Sequence, residues 1–490
     1  MAGANDRDEI TTRPAVEQLE LLRRREVSSR ELVLAHLARI QAYPEINAVV
    51  ATDAERALRA AEAIDAARVR GDATGPLAGL PMTIKDCWEV AGLVSTDGDP
   101  RWRHHRPAAD APVVARLRAA GAVFVGKSNV PLHCDDAQTY NAVYGVTRNP
   151  WDLARSPGGS SGGAAAALAA GMTPLELGSD IAGSIRLPSA WCGVYGLKTT
   201  FGALPATGLV PGDQRSARDM LVPGPMARTA RDMLVLYDVL RGGDKGATGG
   251  SPSPATPLSA FHAVSWIGMG GFDTDTTVEQ VLHQALARLR AAGLRVVDAA
   301  PAVDLTALLW SFYALVTASG GLTVDDAAFR AAKDELATAG PTLSPLRRAA
   351  LEGLTLDHRS WLRLHDQRIR VSEQLERLLQ RETDLILVPT VNVTARAHDH
   401  SEPPQDRTIQ VNGRTRPFYS VCDWNAIASY TYAPAVSIPV GVAADGLPVG
   451  LQAIGRRGSD RTLLEFALAC EQVLGTPPSP TMNAGRDATR

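Results

Sequence analysis

Lysine is scarce in this chain. Of 50 basic side chains in 490 residues, only Lys85, Lys127, Lys198, Lys245 and Lys333 are Lys. Arg serves wherever a surface cation suffices, so a retained Lys marks a place that needs what Arg lacks, such as a proton it can shed. Cysteine is nearly as sparse: Cys87, Cys134, Cys192, Cys422 and Cys470, an odd count with no CxxC and no His at metal-ligand spacing. That excludes a disulfide framework and a zinc ribbon, and points to a reduced, cytoplasmic protein. No run approaches the ~18 apolar residues of a membrane span. The opening MAGANDRDEITTRP lacks the apolar centre of a signal peptide. Charge is balanced too, at a net −3 with both signs interspersed, so neither a nucleic-acid nor a membrane surface is expected. No fixed-period repeat occurs.

What is present is a 45% hydrophobic composition, enough for the core of a large α/β enzyme. Residues 14–42 read as helix, with a capping-box pattern at Ser28 and Glu31. A second helix spans about 53–69, and LAGLPMTIKD leads through a short buried strand to Lys85. Helix 111–120 gives way at Gly121 to the strand AVFVG. A Gly/Ser loop at 154–163 precedes a short Ala-rich helix, and the strand LELGSD, the turn IAGS and another short helix follow. Residues 241–258 look like a surface linker. The stretch from 276 to about 383 is mainly helical, with Leu364, Val371, Leu375 and Leu378 on one stripe. DLILVPT returns the chain to the sheet, 437–455 forms a hairpin around Asp445 and Gly446, and a helix at 460–474 closes the fold.

Two short motifs lack their structural context. Residues 121–128, GAVFVGKS, match a phosphate-loop pattern, but a helix precedes the first Gly and strand-like residues fill the loop. GGSSG at 158–162 matches a nucleophile elbow, yet the segment before it is polar and broken by Pro.

The same loop belongs to a longer pattern. Residues 155–200, RSPGGSSGGAAAALAAGMTPLELGSDIAGSIRLPSAWCGVYGLKTT, resemble the signature of the amidase-signature family of serine amidohydrolases. Its GGSSGG loop is followed 24 residues later by the Ser of a G-G/A-S-I/V-R turn, the spacing of Ser160 and Ser184 here. GLPMTIKD and GKSN resemble two further family segments, the first placing the family's lysine on Lys85. The resemblance runs from about residue 14 to 474, weakest in the middle helical stretch.

The resemblance implies an α/β fold with a mixed, twisted central sheet flanked by helices. It implies a single domain over 1–490, with a catalytic core at about 70–240 and 384–474 and a variable helical segment at about 276–383. It implies an amidase working through an acyl-serine: Ser184 attacks, Ser160, preceded by a cis peptide, relays its proton, and neutral Lys85 accepts it. Backbone N–H groups of Ile181, Ala182, Gly183 and Ser184 would form the oxyanion hole. Gly159 and Ser161 support Ser160, while Asp180 and Arg186 brace the turn. Ala182 stands where the commonest family form has Gly. Burial of Lys85 at a strand end favours its neutral form, and Asp86 would oppose this if it faced the ammonium.

His133, Cys134, Asp135 and Asp136 follow GKSN and, with Trp191, are expected to line the substrate pocket. Asp135 or Asp136 could receive a cationic group there, or cap the loop. Trp310, Phe312 and Tyr313 could add an apolar wall, or pack in the core. No cofactor or metal is implied. A small-molecule amide substrate is expected, with no nucleic acid, no membrane and at most a homodimer. An amidotransferase subunit that releases ammonia from glutamine or asparagine for a partner ranks second, because TTFGALPATGLVPGDQRSARD after Lys198 lacks that subunit's look. An esterase and a silent scaffold on the same fold rank lower.

Overall fold

The computed structural model describes residues 9–72, 74–212, 218–242, 256–321, 324–339, 342–476 and 479–482. Most of the expected linker, residues 243–255, lies outside them. The strands are β1 (Val49–Thr52), β2 (Pro81–Lys85), β3 (Val123–Ser128), β4 (Tyr140–Asn141), β5 (Gly145–Val146), β6 (Leu175–Asp180), β7 (Tyr195–Lys198) and β8 (Val222–Ala227). They continue with β9 (His262–Ser265), β10 (Arg295–Asp298), β11 (Leu385–Pro389), β12 (Thr408–Val411), β13 (Arg414–Pro417), β14 (Ala435–Val442) and β15 (Pro448–Gly455). Eleven of them make one sheet in the order β1-β3-β2-β6-β8-β7-β14-β15-β11-β9-β10, and β4–β5 and β12–β13 are separate hairpins. The sheet is mixed: β2 runs parallel to β3 and β6, while β6–β8 and β14–β15 are antiparallel.

Both faces of the sheet are covered, and the strands alternate accordingly. Leu385 and Leu387 of β11 join one apolar cluster with the helices Ala230–Arg241, Thr276–Ala291 and Asp460–Leu474. Ile386 and Val388, one residue out of phase, join the opposite cluster with Phe312 and Leu375 of the helices Leu305–Ser319 and His358–Arg381.

Two expected elements change. Residues 14–42 form two helices, Ala15–Arg24 and Ser29–Ala42, because Arg25 turns left-handed at φ 59° and Ser28 caps the second helix with Glu31. A capping box starts a helix, so the pattern at Ser28 already implied the break. The mainly helical segment also contains β10, which extends the sheet beside β9. β3 runs straight through Gly126, Lys127 and Ser128, all buried, so the phosphate-loop match is a strand.

Candidate active site

Parallel β2 and β6 are neighbours with Ile84 opposite Leu177, so their carboxyl ends share one edge, where open α/β sheets place their ligands. Lys85 ends β2 and Asp180 ends β6. Beyond β6 the chain turns through Ile181–Ser184 into the helix Arg186–Cys192. From Ser156 to Thr200 every residue is buried except Ile181, Ala182 and Ser184. The segment shows solvent little more than the turn that carries Ser184.

Lys85 is fully buried. Its Nζ donates to Ser160 Oγ at 2.7 Å and to Ser179 Oγ at 2.8 Å. Ser161 ties this cluster to the turn: its N–H donates to Ser184 O at 3.0 Å and its hydroxyl to Ser179 O at 3.3 Å. The Gly159–Ser160 peptide is cis. Gly159 has no room for a Cβ, which would lie 2.5 Å from Gln138 O and 2.6 Å from Asp136 O. Thr139 Oγ1 fixes the loop by donating to Gly158 O and accepting from Gly162 N–H.

Asp86 does not face Lys85. Its carboxylate accepts from the N–H and hydroxyl of Thr96 and lies 3.7 Å from Lys127 Nζ. Burial pushes the Asp86 carboxyl up to about 6, and Lys127 opposes the rise. The second retained lysine therefore neutralises the carboxylate next to the first.

The turn is braced from beneath. Arg186 holds both Asp180 oxygens, at 2.8 and 3.0 Å, and donates to Asn425 O, Gln452 Oε1 and Ser429 Oγ. Burial alone would raise the Asp180 carboxyl, but Arg186 reverses this and holds it at about 2. Asp180 Oδ1 also accepts the Gly183 N–H at 2.9 Å, so that donor, expected in the oxyanion hole, is already engaged. Gly183 sits at φ 109°, and a Cβ there would meet Asn425 Cγ at 2.8 Å.

The expected pocket residues separate. Trp191 is a correction: it is buried in a core cluster with its indole N–H on Val393 O at 2.9 Å, so it presents nothing to a ligand. Asp136 is taken by Arg407 at 2.6 Å. Half-exposed His133 lies between Asp97 and Asp99, and half-buried Cys134 bonds Asp97. Asp135 reaches solvent, while the protein around it and then Asp136 push its carboxyl up to about 6. Of the three aromatics, Phe312 is core and Trp310 lies at the surface. Tyr313 donates to Tyr419 O and to Asp423. Burial raises the Asp423 carboxyl to about 7, with Tyr313 opposing. Sequence reasoning missed Ser179 as a lysine partner, and also Arg407 and Asn425. Ser179 alone carried a signal, its place on the strand beside β2.

This fold and edge define the class of amidase-signature enzymes, whose solved structures share the mixed sheet and flanking helices. Residues 31–464 match the Amidase family model, and the chain belongs to that family of amide-directed enzymes. It is 33% identical to a glutamyl-tRNA(Gln) amidotransferase subunit from Salinispora tropica, over 96% of this chain and 99% of that one. A solved chain from a vestigial protein complex, tied to the origins of an s-triazine catabolic enzyme, is 30% identical with a TM-score of 0.77, covering 95% of this chain and all of that one. A bacterial aryl acylamidase of the amidase-signature family is 25% identical with a TM-score of 0.78, over 94% of this chain and 96% of that one.

These likenesses correct the expectation about partners. A small-molecule enzyme with no nucleic acid and at most a second copy of itself does not fit, because the Salinispora relative is by name one component of an enzyme of glutamyl-tRNA(Gln). A net charge near zero describes one chain and says nothing of what other chains it assembles with. They also reverse the ranking drawn from residues 199–219: the amidotransferase reading fits better than the free-standing amidase. No described helix is long and apolar enough to cross a membrane.

Proposed function

We propose that this chain is the ammonia-releasing component of an amidotransferase, hydrolysing the carboxamide of glutamine or a close analogue for a partner that holds a tRNA-borne acceptor. The observation that carries the chemistry is Lys85 Nζ at 2.7 Å from Ser160 Oγ, beneath a turn that exposes Ser184. The name and near full-length match of the Salinispora relative support the substrate.

In this reading Ser184 Oγ attacks the carboxamide carbon while its proton passes through Ser160 to neutral Lys85. The oxyanion is held by the N–H groups of Ile181, Ala182 and Ser184, since Gly183 already donates to Asp180. Such donors, aimed at developing charge in a dry site, supply a large share of catalysis. The intermediate collapses as Lys85 returns the proton through Ser160, and ammonia leaves. Water then cleaves the acyl-serine by the same relay and releases the acid. Arg186 and Asp180 keep the turn rigid, so the donors need not reorganise as charge appears.

The sheet that runs unbroken from β1 to β10 supports treating the chain as one amidase domain. Five free cysteines support a reducing, cytoplasmic setting. A free-standing amide hydrolase is the second reading, favoured by the likeness to the aryl acylamidase. Ammonia release from L-glutamine, measured for the purified chain and for the chain with any co-purifying partner, separates the two. Slow release alone and faster release with a partner is expected. No release under either condition rules out the amidotransferase reading.

A further inference from the structure

The loop that carries Ser160 is held from outside by a distant stretch of chain. Residues 136–138 lay their main chain against Gly159 so closely that a Cβ there would stand 2.7 Å from Gln138 N, besides meeting the Asp136 and Gln138 carbonyls. Those residues are held in turn by a strap, residues 396–407, on the way from β11 to β12. The Gln138 carboxamide donates to Asp399 O at 2.5 Å and accepts the Asp399 N–H at 3.0 Å. The Tyr140 ring stacks on His400, with centroids 3.9 Å apart. At its other end the strap meets the start of the Ser160 loop, where Arg396 O accepts the Ser156 N–H at 2.8 Å.

Arg407 bolts the strap to the loop. Its side chain is fully buried. The guanidinium donates to Asp136 Oδ2 at 2.6 Å, to Tyr140 Oη at 2.8 Å and to Ser401 O at 2.6 Å, with Glu402 Oε1 further off at 3.3 Å. The second Asp136 oxygen, Oδ1, accepts the Gln138 N–H at 3.2 Å. One carboxylate thus joins Arg407 to the same nitrogen that abuts Gly159, and Ser160 is the next residue. A buried ion pair adds little net stability over apolar side chains of the same volume. What it adds is direction, because the planar fork of Arg fixes several acceptors at set angles.

We propose that Arg407 is a positioning residue for the proton relay: through Asp136 and the 136–138 main chain it sets where Ser160 stands between Lys85 and Ser184. The inference rests on the reading of Ser160 as that relay. Ser160 Oγ lies 2.7 Å from Lys85 Nζ, and in the proposed reaction it must also reach Ser184 Oγ. A displacement of about 1 Å at such a group costs about a hundredfold in rate, even when the change that causes it lies far from the chemistry. Arg407 works at that distance, on the wall of the loop and not on the reacting atoms.

The test compares rates in two backgrounds. Labelling of the full-length chain by a fluorophosphonate, which needs no knowledge of the amide substrate, is timed with and without Arg407→Met, in the wild type and in Ser160→Ala. Each variant is measured below its own urea transition. Arg407→Met is expected to slow labelling about a hundredfold in the wild type. In Ser160→Ala it should slow labelling less than about twofold, since a residue that acts only through Ser160 has nothing left to position there. Arg407→Lys keeps a cation for Asp136 but gives up the fork, so it carries the same comparison should Arg407→Met not fold. It is expected to slow labelling less, again only where Ser160 is present. Equal slowing in the two backgrounds, as a merely structural role would give, or a wild-type rate in folded Arg407→Met, would overturn the proposal. A wild-type rate in Ser160→Ala itself would instead sink the relay reading, and the role of Arg407 with it.

Discussion

Residues 156–200 and the described residues of 305–381 are built in opposite ways. The first is buried almost throughout and exposes only Ile181, Ala182 and Ser184. The second is a set of amphipathic helices, the longest of which, His358–Arg381, buries only Arg368, Leu375 and Leu379. One holds a few atoms in a fixed geometry through bonds such as Arg186 to Asp180. The other makes its polar contacts at scattered points, such as Tyr313 on Asp423 and buried Arg368 on Asp219. The proposed chemistry, which depends on tenths of an ångström, would run in the tightly bonded region.

Substitutions can break that contrast. Lys85→Ala should lower kcat about 10²–10⁴-fold, the usual contribution of a positioned base, with an unchanged circular dichroism spectrum. Near wild-type turnover in a folded variant would remove Lys85 from the chemistry. Arg186→Met strips the cation from a buried carboxylate and should cost about 3–5 kcal/mol in urea unfolding. A loss under about 1 kcal/mol would mean the turn does not depend on the pair.

The same contrast explains what could be read from the sequence. Lys85 and Ser160 lie in segments whose spacing and composition are tightly constrained, so their meeting at 2.7 Å was legible. Gly159 and Gly183 are fixed by close neighbours, Gln138 and Asn425, which the chain brings from far away. Arg407 lies 271 residues from its partner Asp136, and no local pattern links them. Trp191 was misplaced because an aromatic residue after the Ile181–Ser184 turn reads the same whether it faces a ligand or the core. The partner expectation failed for a similar reason, since the composition of one chain does not describe its assembly.

Smaller effects sharpen the comparison in the helical region. The Asp423 carboxyl is raised to about 7, so the fold resists its ionisation. That cost is absent below the unfolded value near ~3.9, grows as pH rises toward 7, and stays constant above. Asp423→Asn should therefore stabilise the protein by about 1–2 kcal/mol at pH 8 after allowance for solvent, and by almost nothing at pH 4. An equal effect at both pH values would contradict a half-buried acid that resists ionisation. Trp310, 42% exposed, should be nearly silent: Trp310→Ala is expected to change stability by less than about 0.5 kcal/mol and to leave kcat unaltered. A large drop in kcat would show that the helical region positions the reacting groups after all.

The most direct measurement concerns Ser184. A fluorophosphonate probe followed by intact-mass analysis should add one label to the wild type and none to a folded Ser184→Ala variant, with the label mapped to the peptide that contains the Ile181–Ser184 turn. Undiminished labelling of Ser184→Ala, or a label on Ser160, would contradict Ser184 as the nucleophile.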